Sequence, residues 1–212
     1  MTLTTWLLYS TVALATALSP GPAVLLAISN SLTLGARRAL ICSSGNVLGV
    51  FVVSGTAMAG LGLLLKSSAT LFLLLKVCGA LYLIYLGLRQ WKSRANLFAQ
   101  TTPVAAPAMQ SPRQLFLRGT LVSITNPKSI LFFTALFPQF MRPDQAVAEQ
   151  FLVLTATFAA CTVLSHLSYV LLARSLKGWF TTDGRARLFN RVCGGAFMLL
   201  GVGVFRLKNH AS

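Results

Sequence analysis

Apolar residues in this chain do not alternate with polar ones in the period of a strand or an amphipathic surface helix. They run in long blocks separated by short basic or proline-rich stretches. Six blocks approach or exceed the roughly 20 residues a helix needs to cross a bilayer. They are Trp6 to Leu34, Ala39 to Leu65, Ala69 to Leu88, Gly119 to Met141, Phe151 to Ala173 and Leu188 to Leu207. The pattern predicts an all-α integral membrane protein of six transmembrane helices. The sixth block is the weakest, with Asn190, Arg191 and Arg206 near its ends, where arginine can reach the headgroups. A five-span arrangement is therefore the alternative, and it would move one terminus.

Between the third and fourth blocks, Pro103, Pro107 and Pro112 stand among Ala, Thr, Gln and Ser with no apolar period, which reads as a flexible linker. The linker, residues 92–113, divides one transmembrane domain into three-helix halves at 3–91 and 114–209.

Each half opens on an interrupted block. Ser19-Pro20-Gly21-Pro22 interrupts the first, and each proline there lacks an amide hydrogen and clashes with the preceding turn. Irregular backbone at membrane depth is tolerated where it is buried in protein or lines a wet cavity, so the break is either one wall of a site or a packing kink. Asn126-Pro127-Lys128 interrupts the fourth block near its middle. An intramembrane lysine costs on the order of 2.5 to 3.5 kcal/mol and marks function unless it snorkels to an interface. An odd number of spans per half makes the halves enter the membrane in opposite senses. Broken first helices in two such halves are the pattern of inverted repeats whose breaks meet near the midplane around a substrate. That pairing favours the site reading for Ser19, Pro20, Gly21 and Pro22, and for Asn126, Pro127 and Lys128.

Composition agrees with a membrane protein. The 212 residues are 55% hydrophobic and 10% charged, against about 25% charged in an average globular chain. The net charge of +15 would suggest nucleic acid in a soluble protein, but here basic residues gather at block ends and nucleic-acid binding is set aside. Loops after the first, third and fifth blocks hold most of them, including Arg37, Arg38, Arg89, Lys92, Arg113, Arg118, Arg185 and Arg187. The positive-inside rule then puts the linker in the cytoplasm and both termini outside. Trp6 and Tyr9 at one end, and Tyr82, Tyr85 and Trp91 at the other, are expected in the interfacial aromatic belts. Cys42, Cys78, Cys161 and Cys193 form no CxxC pair and read as packing residues, with no metal or cofactor expected. The N-terminus lacks the basic start of a signal peptide and reads as a retained first helix.

Several of these segments together resemble the LysE/RhtB family of bacterial amino-acid exporters, in its homoserine and threonine branch. They are Ser19-Pro20-Gly21-Pro22, the Gly35-Ala36-Arg37-Arg38 turn followed by Gly45 and Gly49, Gly79 to Gly87, and Thr125-Asn126-Pro127-Lys128 followed by Phe137-Pro138-Gln139-Phe140. The resemblance implies a six-helix inner-membrane protein that exports small amino acids or derivatives, driven by the proton motive force. Expected partners are thus the amino acid, protons and the lipid bilayer, and a homodimer is carried as an open expectation. Many family members place an aspartate where this chain has Val50, and the branch's acidic residue in the fifth span aligns nearest to Thr162. Asp144, Glu149 and Asp183, the chain's carboxylates, fall in predicted loops.

Within the fifth block, Thr155, Ala159, Thr162, His166 and Tyr169 share one helical stripe. His166, whose unperturbed pKa lies near neutrality, is the expected proton carrier, with the substrate's own amino group as the alternative and a purely structural hydrogen bond as the bland reading. Asn46, beside Gly45 and Gly49, is carried as a substrate-binding residue, and the glycines themselves as packing residues. Gly79, Gly87, Gly194, Gly195 and Gly201 are read the same way. The basic and apolar stretch Leu176 to Phe189 is expected on the cytoplasmic headgroup surface. For Lys128 two roles stand open: binding a substrate carboxylate, or holding backbone carbonyls and shaping the site. Two other functions are weighed, a hydrolase or acyltransferase using His166 with Ser165 or Ser168, and export of another small solute such as an inorganic ion. The hydrolase lacks an acidic third member within the span.

Overall fold

The computed structural model describes residues 1–64, 69–93, 110–142, 145–179 and 183–206, and among these it contains helices and no strand. The first block is two helices, α1 (Leu3–Leu18) and α2 (Pro22–Leu34), bent by 52° at the proline pair. A turn at Gly35, whose φ of 85° suits glycine, leads into α3 (Ala36–Leu64). Next come α4 (Ala69–Lys92), α5 (Pro112–Ile124) and α6 (Pro127–Leu131), then α7 (Val147–Trp179) and α8 (Asp183–Arg206). The α6 segment continues through a π turn, Phe132–Leu136, and a 3₁₀ turn, Phe137–Phe140, and meets α5 at a bend of 49°. Both interruptions expected from the sequence are therefore present.

α5 begins at Pro112, about two turns before the apolar block at Gly119. Ser111 accepts the Gln114 amide while the Gln114 side chain accepts the Ser111 amide, and Pro112 sits where a missing amide costs nothing. Hydropathy does not register such a polar start. Most of the linker lies outside the described residues, as do residues 180–182 in the stretch expected on the headgroup surface. The described parts of that stretch are the end of α7 and the start of α8.

Ala36–Gly60 and Val147–Ala173 are each long and apolar enough to span a bilayer, and the bent pairs bring the number to four among the described residues. α4 and α8, which correspond to the third and sixth blocks, are 24 residues each, about 36 Å of helix. The outer surface is that of a protein in lipid: Leu171, Val192 and Leu199 are 61%, 62% and 75% exposed.

Small residues set the helix pairings. A Cβ on Gly45 would strike the Phe116 carbonyl, and one on Gly119 the Cys42 carbonyl, so α3 and α5 touch backbone to backbone. α4 and α8 pair similarly: a Cβ on Gly87 would lie 2.7 Å from the Gly194 carbonyl oxygen, and one on Gly194 2.6 Å from that of Gly87. α1 runs along α7, while α5 runs along α3, so the first limb of each broken span packs on an unbroken helix of the other half.

The aromatic-belt expectation needs correcting. Tyr9 is fully buried within the main apolar cluster, and Trp6 is half-buried, donating to the Thr157 hydroxyl at 3.1 Å. Their helix turns this face toward α7 and the 132–140 segment and away from the headgroups. Tyr85 and Trp91 are exposed, as expected of belt residues, but Tyr82 lines a cavity.

Candidate functional site

A helix ends with four carbonyls that have no partner inside it. At the end of α1 these face protein, and each finds a donor from a side chain far away in sequence. The Lys128 ammonium donates to Thr16 O at 2.8 Å and to Ser19 O at 2.8 Å, and lies 3.5 Å from Ser19 Oγ. The Ser165 hydroxyl donates to Ala17 O at 2.8 Å, and the Tyr169 phenol donates to Leu18 O at 2.7 Å. The interruption in the first half is thus held by the interruption in the second half together with α7. Lys128 itself is placed by its own break: Pro127 opens α6, and the Asn126 side chain accepts the Lys128 amide at 3.1 Å.

Ser19 through Pro22, Asn126, Pro127 and Lys128 converge on one cavity of about 400 Å³, joined by Tyr82, Leu86 and Arg89 of α4 and by Asn190 and Phe197 of α8. A Cβ at Gly21 would sit 3.3 Å from Lys128 Nζ, a contact that the ammonium would have to shift by a few tenths of an ångström to admit. From the paired breaks the cavity extends toward the end of the bundle where α4 and α8 carry Arg89, Gln90 and Asn190. Gln90 Nε2 donates to Asn190 Oδ1 at 2.8 Å, and Asn190 Nδ2 donates to Ser93 O at 3.1 Å, tying the two helices at that mouth. Two cations and several neutral polar groups line the walls, and no described carboxylate does.

Two sequence candidates lie apart from these walls. Asn46 is buried at the α3–α5 contact, where its backbone nitrogen faces Gly119, and does not line the cavity. His166 is buried behind the Lys128 cluster, within electrostatic range of its ammonium, and its Nδ1 has no hydrogen-bond partner among the described residues. The α7 stripe is real as a face: Thr155, Ala159, Thr162, His166 and Tyr169 are all buried. What sequence reading passed over is the α4 wall. Tyr82, Leu86, Arg89 and Ser93 are spaced by 4, 3 and 4 residues along one helical face, a signal divided between the belt and the loop-charge count.

A helical multi-pass protein of the bacterial inner membrane, with two broken spans meeting at an internal cavity lined by apolar residues and a few polar groups, is the class these features define. The chain belongs to the LysE family: the family described as LysE type translocator matches residues 14–207. It is 33% identical over 201 residues to the homoserine/homoserine lactone efflux protein of Salmonella typhimurium, covering 95% of this chain and 96% of that one. An uncharacterized membrane protein of Vibrio cholerae is 35% identical over 197 residues, covering 93% and 94% of the two chains. The leucine efflux protein of Salmonella choleraesuis is 30% identical over 159 residues, covering 74% and 72%. No solved structure matches.

Proposed function

We propose that this protein is a secondary exporter of small amino acids or derivatives, homoserine, threonine or a similar neutral species, from the cytoplasm, and that the cavity between the two breaks is its substrate site. The carrying observation is the meeting of the breaks: Lys128 of one half donates to Thr16 O and Ser19 O of the other at the head of the cavity. The names of the efflux relatives support the same reading. The packing of α1 on α7 and of α5 on α3 supports the two inverted three-helix repeats on which alternating access would run.

An ammonium has three hydrogens, and two are committed to carbonyls. The third has only the long 3.5 Å contact to Ser19 Oγ, which the carboxylate of a bound amino acid would replace, so the two roles considered for Lys128 become one: it holds the broken end and thereby presents one weakly held donor. Ser19 Oγ, Asn126 Oδ1 and the Tyr82 phenol are neutral acceptors for the substrate ammonium. Arg89 at the mouth draws the carboxylate in. By the positive-inside rule the mouth faces the cytoplasm, as loading for export requires. His166, or the amino group of the substrate, carries the coupled proton in this scheme.

The enzyme alternative loses its nucleophiles in this geometry. Ser165 gives its hydroxyl hydrogen to Ala17 O and Ser168 gives its own to Leu164 O, leaving neither hydrogen for His166. The proposal is tested by efflux from cells preloaded with a panel of amino acids, with and without a protonophore. Faster loss of at least one small neutral amino acid, suppressed by the protonophore, is expected. No accelerated loss of any of them would refute it.

A further inference from the structure

On the other side of the breaks from the cavity mouth the bundle is filled by rings. Tyr9 of α1 packs against Phe132, Phe137 and Phe140, with ring centroids 6.0, 6.3 and 5.1 Å apart, and Phe158 of α7 lies 4.5 Å from Phe132 and 4.9 Å from Phe133. Phe197 belongs to the same apolar cluster and also lines the inner cavity, so this plug borders it. A second, outer cavity of about 520 Å³ lies between the start of α1 and the start of α7.

Charge is divided unevenly between the two cavities. The chain has three carboxylates. Glu149 lines the outer cavity, and Asp144 is the neighbour in sequence of Gln145, which lines it too. Asp183 opens α8 about 10 Å of helix before Asn190, which stands at the inner mouth. None of the three lines the inner cavity, whereas Lys128 at its head and Arg89 at its mouth both do.

The donors of the inner cavity are therefore charged, while its acceptors are neutral and partly used. Thr16 O and Ser19 O already accept from Lys128 Nζ, and Asn126 Oδ1 already accepts the Lys128 amide at 3.1 Å. The Gln90 amide adds a neutral donor, with one hydrogen on Asn190 Oδ1 at 2.8 Å and one remaining. A carboxylate entering here meets two cations; an ammonium meets neutral oxygens and the repulsion of both cations. Space is not the restriction. At about 30 Å³ for each water in the liquid, a cavity of about 400 Å³ has room for about thirteen, more than the heavy atoms of threonine or of its N-acetyl derivative. Leu25, Leu86 and Phe197 supply apolar wall for a methyl group.

Resting on the exporter reading, we propose that the inner cavity selects its substrate by the carboxylate and not by the ammonium, so that small amino acids acylated on nitrogen are carried at least as well as the free amino acids. Acylation removes the one charge that Lys128 and Arg89 repel and leaves the one they attract. It also turns the ammonium into an amide, whose N–H suits a neutral acceptor such as Ser19 Oγ and whose carbonyl suits the remaining Gln90 hydrogen.

The test uses inside-out vesicles from cells making the full chain, with vesicles lacking it as the blank. Uptake of labelled threonine, or of whichever small amino acid the efflux panel identifies, is measured against unlabelled competitors: the same amino acid, its N-acetyl derivative and its amide, which keeps the ammonium and lacks the carboxylate. The N-acetyl derivative is expected to compete at the same concentration as the free amino acid or a lower one, and to be taken up when itself labelled. The amide is expected to compete at least about tenfold more weakly. Arg89→Gln is expected to weaken the N-acetyl derivative at least about twofold more than the free amino acid, since a merely structural effect would weaken both alike. In a chain that carries the amino acid, an N-acetyl derivative that competes more weakly than it does, an amide that competes equally, or equal weakening of both by Arg89→Gln would overturn selection by the carboxylate. Vesicles that take up neither the amino acids nor their derivatives would instead remove the exporter reading, and this inference with it.

Discussion

The inner and outer halves of this bundle solve the same problem in opposite ways. In the inner half the chain is broken by prolines at mid-depth, and the freed carbonyls of α1 are matched one by one with donors from Lys128, Ser165 and Tyr169. In the outer half a proline also disturbs the helix, but its surroundings are phenylalanine rings, and the Tyr9 and Thr155 hydroxyls have no partner among the described residues. The first arrangement is polar and open to a cavity, with the α1 carbonyls satisfied although His166 Nδ1 has no partner among the described residues. The second is apolar, filled and incompletely satisfied. In the exporter proposed here this asymmetry would set a loading site at one face against a filled, apolar region at the other.

The contrast breaks most visibly if the plug is emptied. Phe137→Ala removes a fully buried ring and should lower stability by about 3–5 kcal/mol, read by thermal unfolding in detergent, while affinity for amino acid at the inner cavity stays the same. An equal loss of affinity would show that the halves are not separable. Lys128→Met should act the other way, lowering efflux about hundredfold by removing a part-buried charge that both holds two carbonyls and presents a donor. Lys128→Arg should recover part of that rate, since a cation is restored. A Lys128→Met protein that exports at the parent rate would leave the inner half without its proposed chemistry.

Smaller changes sharpen the comparison. Tyr169→Phe strips the donor from Leu18 O and should cost about 1 kcal/mol of stability, whereas Tyr9→Phe, which removes a hydroxyl with no partner, should cost nothing or stabilise slightly. Thermal unfolding of the two variants side by side reads the difference in one assay. At the mouth, Arg89→Gln should raise the concentration for half-maximal export only about two- to fivefold, because an exposed charge in water contributes little.

The sequence carried the larger features because membrane burial writes them in plain residue types. Long apolar blocks became helices, Pro20 with Pro22 and Pro127 became bends, and Gly45, Gly87 and Gly194 became close helix contacts. The convergence of Ser19 to Pro22 with Asn126 to Lys128 was legible from their matching positions in the two halves. What stayed hidden depended on direction. Tyr9 resembles an interfacial aromatic until α1 is rotated against α7, and Arg89 resembles a loop charge until α4 turns it into the cavity mouth. Ser165 and Tyr169 could not be matched to Ala17 O and Leu18 O, because backbone carbonyls leave no mark in a sequence. The same holds for Asn46, whose polarity placed it beside substrate while the α3–α5 contact sets it apart from the cavity walls.

The most direct measurement concerns the inner cavity itself. Leu25 lines it close to the first break and takes no part in the Lys128 hydrogen bonds. With Leu25→Cys in a chain whose four native cysteines are replaced by alanine, an impermeant maleimide should label inside-out vesicles and not right-side-out ones, and homoserine or threonine should slow the labelling. Labelling from the outer face, or labelling from the cytoplasmic face that no small amino acid slows, would contradict a cytoplasm-facing amino-acid site between the two breaks.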